Sequence, residues 1–205
     1  MARDRSPITK LSRREGVALH PKAFKIMVKR TNIPGQHGGG RQSKPSQYSI
    51  QLREKQKVKR MYGLLEKQFR KLIKEAGRAK GKTGETLLQL LERRLDNAVY
   101  RAGFAPSRRA ARQLVNHGHF MLNGRRVDIP SIRLKEGDEV VLRPRSTKLT
   151  YFTNFKDLNT EIEQPPLSWL TADDKKFTFK ITGLPQRDEA EPGINEQLIV
   201  EYYSR

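Results

Sequence analysis

The residues of this chain whose types and spacing suit chemistry are cations set beside glycines and helix ends. Arg108, Arg109 and Arg112 crowd the opening turns of a segment that starts at Ser107. Backbone N–H groups at a helix start lack intrahelical partners and favour an anion, so three arginines there point to a phosphate seat. Asn123-Gly124 is a two-residue hairpin turn with Arg125 and Arg126 directly after it. Helix start and turn tip therefore predict one basic groove, with Gln113 and His117 beside it. Earlier, Pro34-Gly-Gln-His-Gly-Gly-Gly-Arg41 lets the backbone approach a ligand closely. It is no nucleotide-binding P-loop, because no Gly-Lys-Ser/Thr follows and no strand precedes it. It reads as a linker or as a phosphate-hugging loop carrying Gln36, His37 and Arg41.

Catalytic and metal chemistry find little support. There is no cysteine, which excludes disulfides, thiolate zinc sites and cysteine nucleophiles. The histidines are His20, His37, His117 and His119. The last two are two residues apart across a predicted helix end, not at an i, i+4 ligand spacing, and no acidic cluster adjoins them. No metal or cofactor is expected.

The charge says what the cations are for. With 42 Lys+Arg against 22 Asp+Glu, the formal net charge is +20 over 205 residues. Such a chain repels itself and seeks a polyanion. Residues 1–80 carry +17, 81–148 carry +7 and 149–205 carry −4, so the electrostatic footprint lies in the amino-terminal part. Basic groups there include Lys10, Arg13 and Arg14. Arg53, Lys55, Lys57, Lys59 and Arg60 follow, five like charges in eight residues with Glu54 among them. That density predicts a phosphate-facing helix rather than a merely solvated one. Apolar residues make up 35%, with a mean hydropathy of −0.78, so core material is thin. No run approaches 18 apolar residues, and the start lacks the apolar core of a secretory signal; neither a membrane span nor a membrane partner is expected.

The elements that position these groups are legible from periodicity. Residues 48–76 predict two helices jointed at Gly63, the second with Met61, Leu65, Phe69, Leu72, Ile73 and Ala76 on one face. Thr83 is expected to cap a helix that places Leu87, Leu88, Leu91, Leu95, Ala98, Val99 and Ala102 inward and stops at Gly103. Glu92, Arg93, Arg94 and Asp96 on it read as a local ion-pair set of modest energy. Ser107 caps the next helix, which ends at Gly118. The hairpin follows, then Glu136-Gly137-Asp138 turns the chain into Val140, Val141 and Leu142. In the tail, 176–182 and 197–203 alternate with period two and predict strands, around the punctuation of Pro165-Pro166 and Gly183-Leu-Pro185. Trp169 reads as a packing anchor for the tail.

The stretch LLQLLERRLDNAVYRAGFAPSRRAARQLVNHGHFMLNGRRVDIPS closely resembles the RNA-binding module of the bacterial-type fourth protein of the small ribosomal subunit. KLSRREG, PGQHGG, YSIQLREKQKVKRMYGLLEKQF and the closing INEQLIVEYYSR resemble the same family, in the right order over nearly the whole chain. The resemblance implies an α+β fold: a mostly helical amino-terminal domain with a smaller inserted RNA-binding module of two helices plus a small antiparallel sheet. It divides the chain into a basic extension at 1–45, a helical body at 46–85 with 149–205 and its strands, and the module at 86–148. It implies a cytoplasmic structural protein of the small subunit that binds ribosomal RNA at a junction in the 5′ domain and nucleates assembly. Contact with a neighbour, the fifth protein, is implied too, with support of translational accuracy; some members also bind their own messenger RNA. Many members carry four zinc-binding cysteines near the start, which this chain lacks, so zinc is not carried over and RNA is the expected source of order in 1–45.

The same module occurs in RNA pseudouridine synthases, where Arg-Leu-Asp strings surround a catalytic aspartate. Here Arg94-Leu95-Asp96 lies inside an apolar-periodic helix with no Thr or Gly loop after it, so Asp96 reads as structural and the chain as no enzyme. An RNA-modifying enzyme and a free regulatory RNA binder remain the alternatives. Arg108→Ala with Arg112→Ala is expected to weaken RNA binding with the fold intact.

Overall fold

A computed structural model describes residues 4, 6–40, 44–155 and 167–204. Two compact units divide the chain: residues 1–87 with 191–205, and residues 88–190.

The first unit is helical. Its elements are α1 (Ile8–Glu15), α2 (Pro21–Lys29), α3 (Gln47–Met61), α4 (Glu66–Ala76), the start of α5 (Thr83–Glu92) and the carboxy-terminal α9 (Glu196–Tyr203). The joint between α3 and α4 falls at Gly63, whose φ of +63° suits glycine. On α4, Phe69, Leu72, Ile73 and Ala76 are buried as their spacing requires. Order in α1 and α2 has internal causes. The buried Ser12 hydroxyl donates to Ile8 O at 2.9 Å and accepts from Leu19 N–H at 3.2 Å. His20 caps α2 by accepting from Lys22 N–H at 3.0 Å, and Pro21 occupies the first helical position.

The second unit places α6 (Leu95–Arg101) and α7 (Arg108–Asn116) with an antiparallel sheet. Its strands are β1 (Phe120–Leu122), β2 (Arg125–Val127), β3 (Glu139–Leu142), β4 (Leu170–Asp173) and β5 (Thr178–Ile181), in the order β2-β1-β3-β5-β4. A 3₁₀ turn at Pro144–Ser146 and the one-turn α8 (Thr150–Thr153) lead out of β3. The hairpin turn has φ of +48° at Asn123 and +79° at Gly124, as a primed turn demands. The core joins Leu95, Ala98, Val99 and Phe104 with Phe120, Leu134, Val140, Phe179 and Ile181. Trp169 lies in it, 1% exposed. Phe177 holds φ at +50°, a costly conformation for an aromatic residue. Its ring stacks edgewise on Phe104, Phe152 and Phe155, which fixes it there.

Four expectations are corrected. The long helix over 83–102 is broken: Arg94 is extended at ψ 138°, because Leu95 N–H donates to Ile132 O at 2.8 Å and Arg93 O accepts from Leu134 N–H at 2.9 Å. Thr83 is the first helical residue rather than the cap, since Thr86 N–H bonds to Lys82 O. Residues 197–203 are helical, not a strand: Asn195 caps α9 by accepting from the N–H groups of Gln197 and Leu198. Finally, β4 and β5 do not join the helical body with the tail, because β5 pairs with β3 and so extends the module's own sheet. Pro165-Pro166 lie outside the described residues.

Leu95 is fully buried in this core. Leu95→Ala should therefore lower the unit's stability by about 2–5 kcal/mol in urea melts. Leu95→Asp should abolish its cooperative transition.

Candidate RNA-binding surface

The site begins at the break between α5 and α6. Extending the backbone at Arg94 brings four charged side chains inward, where the sheet-side residues 130–134 close over them. Arg94 grips Asp96 with two bonds, Nε–Oδ1 at 3.0 Å and Nη2–Oδ2 at 2.8 Å. Arg101 does the same to Glu92 at 2.9 and 3.0 Å. Asn97 links the pairs, donating to Glu92 Oε2 at 2.8 Å through its side chain and to Asp96 Oδ1 at 3.0 Å through its backbone. All five residues are at most 7% exposed. This is a buried network, not the loose surface set expected, and leaving one of its charges alone would be costly.

The helix α7 is bolted onto that network through its arginines. Arg112 is buried with Nη1 3.5 Å from Asp96 Oδ2. Arg108 Nε donates to Asn97 Oδ1 at 2.7 Å, and its guanidinium lies 4.6 Å from the centre of the Tyr100 ring. Of the three arginines predicted to seat a phosphate, Arg109 alone is exposed. Arg112 is thus corrected from RNA contact to internal fastener, and Arg108 is half committed to the same task.

The remaining predicted groups of this unit face outward: Gln113 on α7 and His117 at its carboxy-terminal cap, then Asn123, Gly124 and Arg125 at the hairpin. Asn123 has a structural task as well, donating to Asp138 Oδ1 at 2.8 Å and accepting from Glu139 N–H at 2.9 Å. Arg126, which follows Arg125 at the turn, is exposed with them. A methyl group on Gly118 would lie 2.6 Å from Arg126 Nε, so this guanidinium rests across the carboxy-terminal end of α7, where a cation suits the helix dipole. The helix end and the second hairpin strand thereby share one basic surface. His119 behind it is half-buried, with Nδ1 3.0 Å from Ser146 Oγ. Burial and the nearby His117 and Arg143 hold its pKa below the ordinary imidazole value.

In the first unit the predicted cations separate into two groups. Lys10, Arg14, Gln36 and His37 are exposed. Arg13 Nε donates to Asn32 O at 2.9 Å and Arg14 Nη2 to Pro34 O at 3.3 Å, so α1 braces the glycine-rich loop. The loop is a folded turn rather than a linker: Gly38 N–H bonds to Gly35 O, and a methyl on Gly38 would lie 1.7 Å from Ile33 O. Arg41 lies outside the described residues.

The cations of α3 are not the unopposed set that their density suggested, because each meets a carboxylate. Glu15, its side chain buried, pairs with Arg53 at 3.3 Å and with Arg60. Burial pushes that carboxyl's pKa up against the pull of both arginines. Lys55, only 4% exposed, reaches Glu66 at 3.0 Å and lies 4.7 Å from the centre of the Tyr202 ring. Lys59 also meets Glu66, at 3.1 Å, while Lys57 pairs with Glu54 at 2.8 Å and donates to Gly193 O at 2.6 Å. Tyr203 OH donates to Glu66 Oε1 at 2.6 Å, which fastens α9 to the same carboxylate. Partial burial pushes Glu66 up, but hydrogen bonds from Tyr203, Lys55 and Lys59 outweigh it and hold the pKa at about 2. Tyr203 is raised well above the ordinary phenol value by burial and by Glu66.

Residues 93–140 match a family model described as the S4 domain, and residues 3–92 match that of the ribosomal protein S4/S9 N-terminal domain. This defines the chain as a ribosomal protein of S4-domain type. Over 206 residues, covering both chains completely, it is 50% identical to the small ribosomal subunit protein uS4 of Chloroflexus aurantiacus. It is 49% identical to the proteins of that name from Chlorobium phaeovibrioides and Natranaerobius thermophilus, again at full coverage of both. The chain belongs to the family of small ribosomal subunit protein uS4, as its motifs suggested, and that family is structural and non-enzymatic.

Two outcomes follow from the ion pairs. Arg112→Ala keeps the Arg94–Asp96 pair but removes the buried side chain that ties α7 to it, and should cost about 1–3 kcal/mol in urea melts, whereas exposed Arg109→Ala should stay within about 0.5 kcal/mol. Glu66 is depressed from an ordinary 4.5 to about 2. Its stabilisation is therefore complete above pH 4.5 and is lost as pH falls towards 2. Glu66→Gln should flatten the acid limb of a stability-versus-pH curve across that window.

Proposed function

We propose that this chain binds small-subunit ribosomal RNA directly, as a structural component of the cytoplasmic small ribosomal subunit. The observation that carries this reading is the outward basic surface built by Arg109, Gln113, His117, Asn123, Gly124, Arg125 and Arg126 within the region that matches the S4 domain. Cations on a rigid hairpin and helix neutralise phosphates, and the shape of the RNA selects the site. Lys10, Arg13, Arg14, Gln36 and His37 add a second basic surface on the helical unit.

The finer parts of the proposal are a junction in the 5′ domain as the RNA target, early docking that nucleates the subunit body, and contact with the fifth protein that supports accuracy. Binding to its own messenger RNA is a further part. Names of relatives that denote a small-subunit protein support the ribosomal setting. The enzyme alternative is not favoured: Asp96 is 5% exposed and engaged by Arg94 and Arg112.

Filter binding to a small-subunit ribosomal RNA transcript, with a chemical footprint of the complex, tests the reading. If roughly six to ten phosphates are contacted, affinity should fall by about 10³–10⁵ between 50 and 200 mM salt, on a scale calibrated with duplex DNA. Arg109→Ala with Arg125→Ala should weaken binding by on the order of tenfold or more and reduce the salt slope by about two phosphates' worth, with unchanged circular dichroism. A salt-independent affinity would sink the electrostatic account.

A further inference from the structure

Among the described residues, one helix of the basic unit carries cations that no carboxylate meets. Between Gly16 and Arg53 the sequence has six Lys+Arg and no Asp or Glu. Among the described residues, Lys22, Lys25 and Lys29 of α2 make no ion pair, in contrast to the cations of α3. The helix packs on α1, with Ala23 fully buried and Met27, four residues on, half-buried. One step further round the helix, Phe24 and Val28 are 65% and 70% exposed. Single exposed apolar residues are ordinary. An exposed ring beside an exposed valine one turn away, next to three exposed lysines, is a particular combination.

We infer that α2 is a stacking platform for an unpaired base of ribosomal RNA, in which Phe24 takes the base and Lys22, Lys25 and Lys29 take the adjoining phosphates. The inference rests on the ribosomal RNA reading above and adds a site to it. Unpaired bases are recognised by stacking on aromatic rings, while cations alongside follow the backbone. The platform is set before binding, because the His20 cap and Pro21 fix the helix start three to four residues ahead of the ring. Val28 widens the apolar floor beside Phe24. Charge complementarity favours RNA over a protein occupant: every charged residue from 16 to 53 is positive.

The test uses the full-length protein and a small-subunit ribosomal RNA transcript. Phe24→Leu keeps an apolar side chain but removes the ring, and should bind about tenfold more weakly. Phe24→Tyr should bind as the parent does, and circular dichroism should show all variants equally helical. Phe24→Trp places an indole at the surface, where stacking should quench its emission on RNA addition; Trp169, 1% exposed, supplies a constant background. Parent-like binding of Phe24→Leu, or an unquenched indole in the RNA complex, overturns the platform and leaves the ribosomal RNA reading standing. Loss of particle incorporation without loss of RNA affinity in Phe24→Leu also overturns it, since the face would then meet a protein. If the parent fails to bind the RNA, the underlying reading falls and the inference with it.

Discussion

Negative charge is the scarce component of this protein, and the fold depends on where it is placed. With 22 acidic residues against 42 basic ones, cations cannot all be neutralised internally. The carboxylates at the joints between elements therefore serve more than one partner each. Glu15 clasps Arg53 and Arg60, Glu66 takes Lys55, Lys59 and Tyr203, and Asp96 takes Arg94 and Arg112. Each clasp joins separate elements: α1 to α3, α3 to α4 and α9, and the break before α6 to α7. A chain of thin apolar content gains specificity this way, since a buried charge tolerates few alternative arrangements.

The same clasps explain why part of the fold was legible in sequence and part was not. Apolar periodicity placed the two helices around Gly63, the capped helix at Ser107 and the Asn123-Gly124 hairpin, because those signals are local. Periodicity also runs unbroken through Leu91, Leu95 and Ala98, so it could not register the break at Arg94. That break exists because residues 130–134, far along the chain, pair with the backbone there. The carboxy-terminal helix was misread for a different reason. Its alternating pattern outweighed a local signal that was present, Asn195 as cap with Glu196 in the first turn.

The binding groups show the same division. Arg53 and Arg60 looked unopposed because their carboxylate, Glu15, lies 38 and 45 residues away. Arg112 looked like a phosphate ligand because helix position alone was visible, whereas Asp96 reaches it through the α6–α7 packing. Composition counts cations but not their partners. Groups at a turn tip or on a helix face away from the core were read correctly as exposed, since exposure there follows from local geometry.

These placements give the arginines and lysines two distinct mechanical roles. Cations turned inward set the shape: they hold α7 against α6 and α3 against its neighbours, so that the outer face is rigid before any ligand arrives. On the proposed reading, cations turned outward supply the attraction, and they sit on elements the inner set has fixed. Arg108 stands at the boundary, bonded to Asn97 yet partly exposed. Removing an inner cation would weaken RNA binding as surely as removing an outer one, but through loss of shape rather than of charge. Affinity alone cannot distinguish the two. The salt dependence can, because only cations that displace counterions from phosphates contribute to its slope.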